Sequence, residues 1–336
     1  MNSKHRMAAA AAAVAIALGT TACAAQPQAE PGDDSPVHLD VGFVGTSING
    51  VGIVAIANEL GLWEKYGVEV NPVPFTNGPT QIQAMQAGDI DIANIGAGAV
   101  WLPASGQATV IAVAEDSYGD VVLARPDAGI ETLADLQGKR IGVPEGGSGE
   151  MILELALREA GLTNDDIERV VLEPPNIVSA FVSGQIDAAA IFSPLSTQIL
   201  DAKPDTLTLA GNRDFPGTPF LGAWVAPNDA VKANDEGIVR FLQVYAEAND
   251  YMIEHTEEAV ALAAAEADVP EPVFTTMASL MEWTPSTEML AQNESGETLE
   301  RFATLADLFV ELGRLEAAPD AADFVDTKLL ATALAR

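Results

Sequence analysis

One phrase, Gly-x-Ile-Asp-x-Ala-x-Ile, occurs twice in this chain, as Gly88-Asp-Ile-Asp-Ile-Ala-Asn-Ile95 and as Gly184-Gln-Ile-Asp-Ala-Ala-Ala-Ile191. Ala84 and Ala180 stand four residues before the two Gly residues. The parallel continues upstream: Val41-Gly42-Phe-Val44 is echoed by Ile141-Gly142-Val-Pro144, and Glu59-Leu-Gly61-Leu62 by Glu159-Ala-Gly161-Leu162. Each copy reads strand, small-residue turn, helix, Gly-Leu, strand, turn, helix, Gly-x-Ile-Asp, strand. Strands alternating with helices argue for parallel sheets. A chain that builds one α/β unit twice has two lobes, and a cleft between them is the place to look for function.

The 336 residues allow one large or two ordinary domains, and an apolar fraction of 48% supplies ample core. The first 23 residues read as a targeting segment. Lys4 and Arg6 give it a basic start, and the apolar run 8–18 is too short to span a bilayer as a stable anchor. Thr20-Thr-Ala-Cys23 places small residues directly before the only cysteine of the chain, as a bacterial lipoprotein processing site does. A lone Cys cannot form an internal disulfide, which leaves Cys23 as the expected lipid acceptor. Residues 24–36 read as a Pro/Ala/acid tether. A formal net charge of −33 argues against nucleic-acid binding, because phosphates would be repelled.

The pattern predicts lobe one from 37–125 and 217–336, with lobe two, 126–216, between them. The chain is expected to cross between lobes near 124–128 and 215–220, where Pro126, Pro216, Gly217 and Pro219 punctuate it. Two crossings make a hinge. From Asn228 onward the periodicity is helical throughout, which predicts a helical extension covering lobe one.

In open α/β sheets, ligands bind beyond the carboxyl ends of the strands, where helix N-termini offer free N–H groups. The turns that fall there are Thr46-Ser47-Ile48-Asn49, Thr76-Asn77-Gly78, Gly96-Ala97-Gly98 and Gly146-Gly147-Ser148-Gly149-Glu150. Ser and Thr at such positions also serve as plain helix caps. The Gly-rich turn is the more specific signal, since missing side chains let backbone amides approach a ligand. Phe192-Ser193 follows the second repeat, Tyr118 follows another strand end, and Trp224 lies in the returning strand. The candidate ligand set is therefore Thr46, Ser47, Asn49, Asn77, Gly96, Ala97, Tyr118, Gly147, Ser148, Gly149, Glu150, Phe192, Ser193 and Trp224. A cleft-facing Glu150 would oppose an anion or hold an ammonium. Arg125 and Arg213, flanking the crossings, are the best placed cations for an anionic solute.

Asn58-Glu-Leu-Gly-Leu-Trp-Glu-Lys-Tyr-Gly67, Gln86-Ala-Gly-Asp-Ile-Asp91, Leu133-Ala-Asp-Leu-Gln-Gly-Lys-Arg-Ile-Gly142 and Gly184-Gln-Ile-Asp187 occur in that order. Over residues 38–226 the chain resembles the substrate-binding proteins of ABC importers, nitrate/sulfonate/taurine type, which are related to thiamine-precursor binders. The resemblance implies a type II periplasmic-binding fold and capture of a small polar solute such as a sulfonate or taurine. It implies delivery to permease subunits coupled to a cytoplasmic ATPase, by an extracytoplasmic monomer. A thiamine-precursor pyrimidine or another nitrogenous solute is the alternative, and a biosynthetic enzyme on the same fold a further one. No Gly-x-Ser-x-Gly elbow and no Cys/His metal cluster is present, so neither catalysis nor a cofactor or metal is expected.

Overall fold

The computed structural model describes residues 35–336. The leader with Cys23 and tether residues 24–34 lie outside the described residues. Ser35–Arg336 forms one compact unit built on two sheets. The strands are β1 (Val37–Val44), β2 (Val68–Phe75), β3 (Ile92–Ile95), β4 (Thr109–Ser117), β5 (Asp120–Ala124), β6 (Arg140–Val143), β7 (Glu168–Val171), β8 (Ala188–Phe192), β9 (Leu207–Gly211), β10 (Leu221–Ala226) and β11 (Met281–Glu282). The first sheet has the order β11-β4-β10-β3-β1-β2 and the second β7-β6-β8-β5-β9. β1 runs parallel to β2 and β3, and β6 runs parallel to β7 and β8. β10 joins the first sheet antiparallel to β3 and β4, as β5 joins the second antiparallel to β8 and β9.

The repeated phrase is explained residue by residue. Gly88 and Gly184 end their helices at φ 80° and 81°, a left-handed conformation that glycine adopts without a Cβ penalty. The next residue's N–H then reaches back to Ala84 O or Ala180 O, at 2.9 Å in both copies. Ile90 and Ile186 fill the space above Gly42 and Gly142. A Cβ on either glycine would lie under 3.0 Å from the isoleucine Cδ1. Asp91 and Asp187 clamp the strand beside them: Asp40 N donates to Asp91 Oδ2 at 2.8 Å, and Arg140 N donates to Asp187 Oδ2 at 3.0 Å. In lobe two the clamp gains a guanidinium, with Arg140 Nη2 at 2.7 Å from Asp187 Oδ1. The paired Arg140 holds the Asp187 carboxyl below the usual range.

Two expectations need correction. Asp120–Ala124, expected in lobe one, pairs with β8 and β9, so the first crossing lies at Tyr118–Gly119 and not at 124–128. The error arose because β4 and β5 are both apolar and follow one another closely, which hides a change of sheet. The second crossing lies between Gly211 and Leu221. The tail is also not wholly helical, since Met281–Glu282 pairs antiparallel with Asp116–Ser117 as β11.

The tail helices do cover the first sheet. Glu236–Glu254 packs on β1 and β2, and Thr256–Ala267 packs on the helix Ile48–Glu59. Trp224, expected in the cleft, lies under this layer instead. It is fully buried, with its ring 4.9 Å from Phe241 and 5.8 Å from Tyr245. Side chains alternate across a strand, and Ala223 and Val225 take the opposite face, in a core shared with the second lobe.

Candidate functional site

A cavity of about 80 Å³ lies where the two sheets meet. Strand ends deliver its lining: Val44 from β1, Ser117 from β4, Pro144 just after β6 and Phe192 from β8. Three helix N-termini are aimed at it, those of Ile48–Glu59, Gly78–Ala87 and Ser148–Glu159. Ser47 is the N-cap of the first yet makes no capping hydrogen bond. Asn77 does cap, accepting from Thr80 N at 3.0 Å, and its Nδ2 reaches Glu173 of the other lobe at 3.4 Å. Asn49 is buried and accepts from Trp283 Nε1 at 2.9 Å.

Ten of the expected residues line the cavity: Thr46, Ser47, Asn49, Asn77, Gly96, Ala97, Gly147, Ser148, Phe192 and Ser193. Tyr118, Gly149, Glu150 and Trp224 do not. Tyr118 is drawn to the crossing, where its N–H donates to Leu280 O and the Arg213 guanidinium stacks 4.0 Å from its ring. Gly149 packs on the second sheet, and a Cβ there would lie 2.9 Å from Ala190 O and Pro144. Glu150 turns back from the cavity. It accepts Gly146 N at 2.7 Å and forms ion pairs with Arg169 and Arg314. Arg125 is paired with Asp127, so neither expected arginine lines the site.

Sequence reasoning missed Asn94, Glu115, Asp120 and the tail residues Met277 and Met281. Two of these left a signal. Asn94 is the one polar residue inside the buried strand of its repeat, where the second copy has Ala190. Glu115 interrupts the apolar run 110–114. The methionines arrive from the tail and left none.

These missed groups carry the electrostatics. Asn94, Glu115, Asp120 and Ser193 are all buried, with exposures of 4%, 5%, 1% and 6%. Asn94 Nδ2, Glu115 Oε2, Asp120 Oδ1 and Ser193 Oγ have no well-formed hydrogen bond within the protein. Burial, followed by the charges of Asp116 and Asp120, pushes the Glu115 carboxyl up to about 8. Burial also raises Asp120, against the pull of Ser148 and the Asn212 amide, whose Nδ2 donates to Oδ2 at 3.0 Å. Among the described residues no Lys, Arg or His lines the cavity, and no group of His, Cys, Asp and Glu is arranged to hold a metal.

The lobes meet closely over the cavity. A Cβ on Gly98 would lie under 3.0 Å from the backbone of Gly147 and Ser148. Trp101 Nε1 donates across the seam to Gly146 O at 3.2 Å, and Arg314 lies 5.8 Å from the Trp101 ring while pairing with Glu150.

Two lobes joined by a two-segment crossing close over a buried polar cavity, an arrangement that can capture a small solute, and the relatives of this chain place it among the solute-binding proteins of ABC importers. The chain belongs to the NMT1/THI5-like family, whose model matches residues 49–259. It is 40% identical over 293 residues to a Brucella abortus protein named as a binding protein, covering 87% of this chain and 90% of that one. It is 29% identical over 285 residues to an Escherichia coli protein named as an aliphatic sulfonates-binding protein, covering 83% and 85%. The crystal structure of the periplasmic aliphatic sulphonate-binding protein of Escherichia coli superposes with a TM-score of 0.64 at 25% identity, over 87% of this chain and 92% of that one.

Proposed function

We propose that this chain captures a small polar organic solute of the sulfonate or taurine kind in the interlobe cavity and delivers it to an ABC permease. It works as an extracytoplasmic monomer held to the membrane by lipid on Cys23, without catalysing a reaction. The observation that carries the reading is the set of four buried polar atoms, from both lobes, that have no well-formed hydrogen bond within the protein and belong to residues lining one cavity. Buried polar groups are normally satisfied, and each one left unmade costs about 1–3 kcal/mol. A ligand that meets several of them at once also holds the lobes together. At the roughly 10–15 Å³ that one water needs, about 80 Å³ suits a solute of about five to eight non-hydrogen atoms. Taurine and short alkanesulfonates are of that size, and their acidic end suits the three helix N-termini. The Escherichia coli relatives named for sulfonates and taurine support this class.

The uncharged Glu115 carboxyl and the Asn94 amide, both lining the cavity, favour a second reading, an aminopyrimidine of the thiamine-precursor kind, because each can exchange hydrogen bonds with a ring nitrogen or its amino group. Calorimetry and thermal shift over taurine, alkanesulfonates, nitrate and aminopyrimidines decide between them. A true ligand at 100 times its Kd adds about 2.7 kcal/mol of stability. No response to any sulfonate would refute the first reading. For the anchor, Cys23→Ala should release the protein from the membrane fraction, and retention there would refute lipidation.

A further inference from the structure

Glu115 and Asp120 reach the cavity from opposite lobes. Glu115 lies on β4 of the first sheet and Asp120 opens β5 of the second, with the crossing between them. Both are at least nine-tenths buried, and each keeps one oxygen without a well-formed partner. The cations of this region are committed elsewhere: Arg301 Nη2 lies 2.5 Å from Asp116, and Arg213 stacks on Tyr118. The neighbouring strand makes room for Glu115, because a Cβ on Gly222 of β10 would lie under 3.0 Å from its carboxyl atoms. Asn94 Nδ2, buried and unpartnered in the same cavity, is an independent sign that a ligand is awaited.

We propose that Glu115 and Asp120 form a cation-recognising pair that takes a positively charged nitrogen of the solute between the lobes. This rests on reading the cavity as the solute site. An ammonium carries several N–H donors and can serve both free oxygens at once. Bonds from a charged donor to a carboxylate are about twice as strong as neutral ones. Asn94 Nδ2 is then left to donate to an acceptor elsewhere on the solute. A zwitterion such as taurine satisfies this arrangement, with its ammonium on the carboxylates and its sulfonate toward the helix N-termini. Two ionised carboxylates cannot share this buried site without such a partner, and Glu115 keeps its proton until one arrives, so a solute lacking the nitrogen forfeits its main electrostatic contact.

The test compares taurine with 2-hydroxyethanesulfonate, which keeps the sulfonate and replaces the ammonium by a hydroxyl, in wild type and in Glu115→Gln. Calorimetry should show taurine bound at least about tenfold more tightly by wild type, with the preference reduced in the variant. Equal binding of the two compounds by wild type would overturn the pair while leaving the sulfonate reading intact. A third arm uses 1,3-diaminopropane. Binding of the diamine without taurine would support the pair and refute the sulfonate reading. If none of the three binds, the ligand-free protein decides. Measured at pH 9, where the Glu115 carboxyl is ionised, replacing both acids, Glu115→Gln with Asp120→Asn, should raise the melting temperature by roughly 3 °C or more, because two unpaired buried charges are removed. An unchanged or lower midpoint, with no binding, would overturn the proposal.

Discussion

Gly98→Ala isolates closure from folding. Gly98 sits in the turn Ala97–Ala99 after β3, and the atoms its new methyl would meet are Gly147 C, Gly147 O and Ser148 N, all in the other lobe and all backbone. None can swing aside as a side chain would. The methyl would lie under 3.0 Å from them, whereas relaxed carbon contacts lie at about 3.5–4.0 Å. The lobes must therefore part by more than about 1 Å along this seam, which forfeits at least a quarter to a half of each dispersion contact there. Overpacking of this kind costs about 1–3 kcal/mol. The cost falls on the closed state, since an open form relieves the clash without disturbing either sheet. Solute affinity should drop by roughly 5- to 150-fold. The assays are calorimetry with the best solute and small-angle scattering with and without it. Wild type should contract on binding, and the variant should contract less. Its ligand-free melting temperature should not rise. Unchanged affinity and unchanged contraction would refute the claim that Gly98 is the point where the lobes seal.

Three further outcomes follow from groups around the cavity. Glu115 faces Asp116, which is paired with Arg301, as well as Asp120 and the buried Tyr245, whose hydroxyl donates to Val113 O. Its carboxyl rises from 4.5 to about 8 in the folded protein, so the folded state holds the proton more tightly than the unfolded state. The resulting stability is complete below about pH 4.5 and is lost as pH rises toward 8, a change on the order of 5 kcal/mol, and urea midpoints for Glu115→Gln should lack that slope. Glu150→Gln should cost about 3–5 kcal/mol in urea unfolding, because it leaves two arginines around an uncharged amide. Arg314→Ala should cost less and act mainly on solute affinity, since its half of the pair spans the seam and Arg169 still holds the carboxylate. Asp187→Asn should cost about 1–2 kcal/mol, and Asp91→Asn less, because only Asp187 has a guanidinium partner. The Asp187 contribution is present above pH 3.8 and disappears as pH falls below it, so the variant and wild type should converge in acid.

The fold was legible because its signals are local. Gly88 and Gly184 end helices, and Ile90 and Ile186 fill the space over Gly42 and Gly142. These constraints act within a few residues or one neighbouring strand, so they leave a periodic trace. The turns of the site were legible for the same reason, since Ser47, Asn77 and Ser148 stand at helix starts that periodicity locates. What could not be read is direction. Glu150 and Ser148 are two residues apart, yet Ser148 lines the cavity while Glu150 turns toward Arg169 and Arg314, which come from distant segments. Trp224 was misplaced because nothing local says which sheet face the tail helices will cover. Glu115 and Asp120 were passed over because an acid at a strand end usually means solvent. Only the return of β10, with Gly222 beside Glu115, buries it.

The position of β10 also sets an order of assembly. All five strands of the second lobe lie between residues 120 and 211, so that lobe has its whole sheet as soon as this stretch exists. The first lobe does not. β3 and β4 are never neighbours, and the strand that joins them, Leu221–Ala226, is made about a hundred residues after β4. Until it arrives, the first lobe is a split sheet without Trp224 at its centre, and the Glu236–Glu254 helix that roofs it is later still. The expected order of folding is therefore the inverse of the usual N-terminal-first one. A chain truncated after residue 216 should give a protease-resistant core within 119–212 and a digestible N-terminal portion. Protection of residues 37–117 in that truncation would refute the order. On this order the first sheet stays unsealed until about two-thirds of the chain has been made.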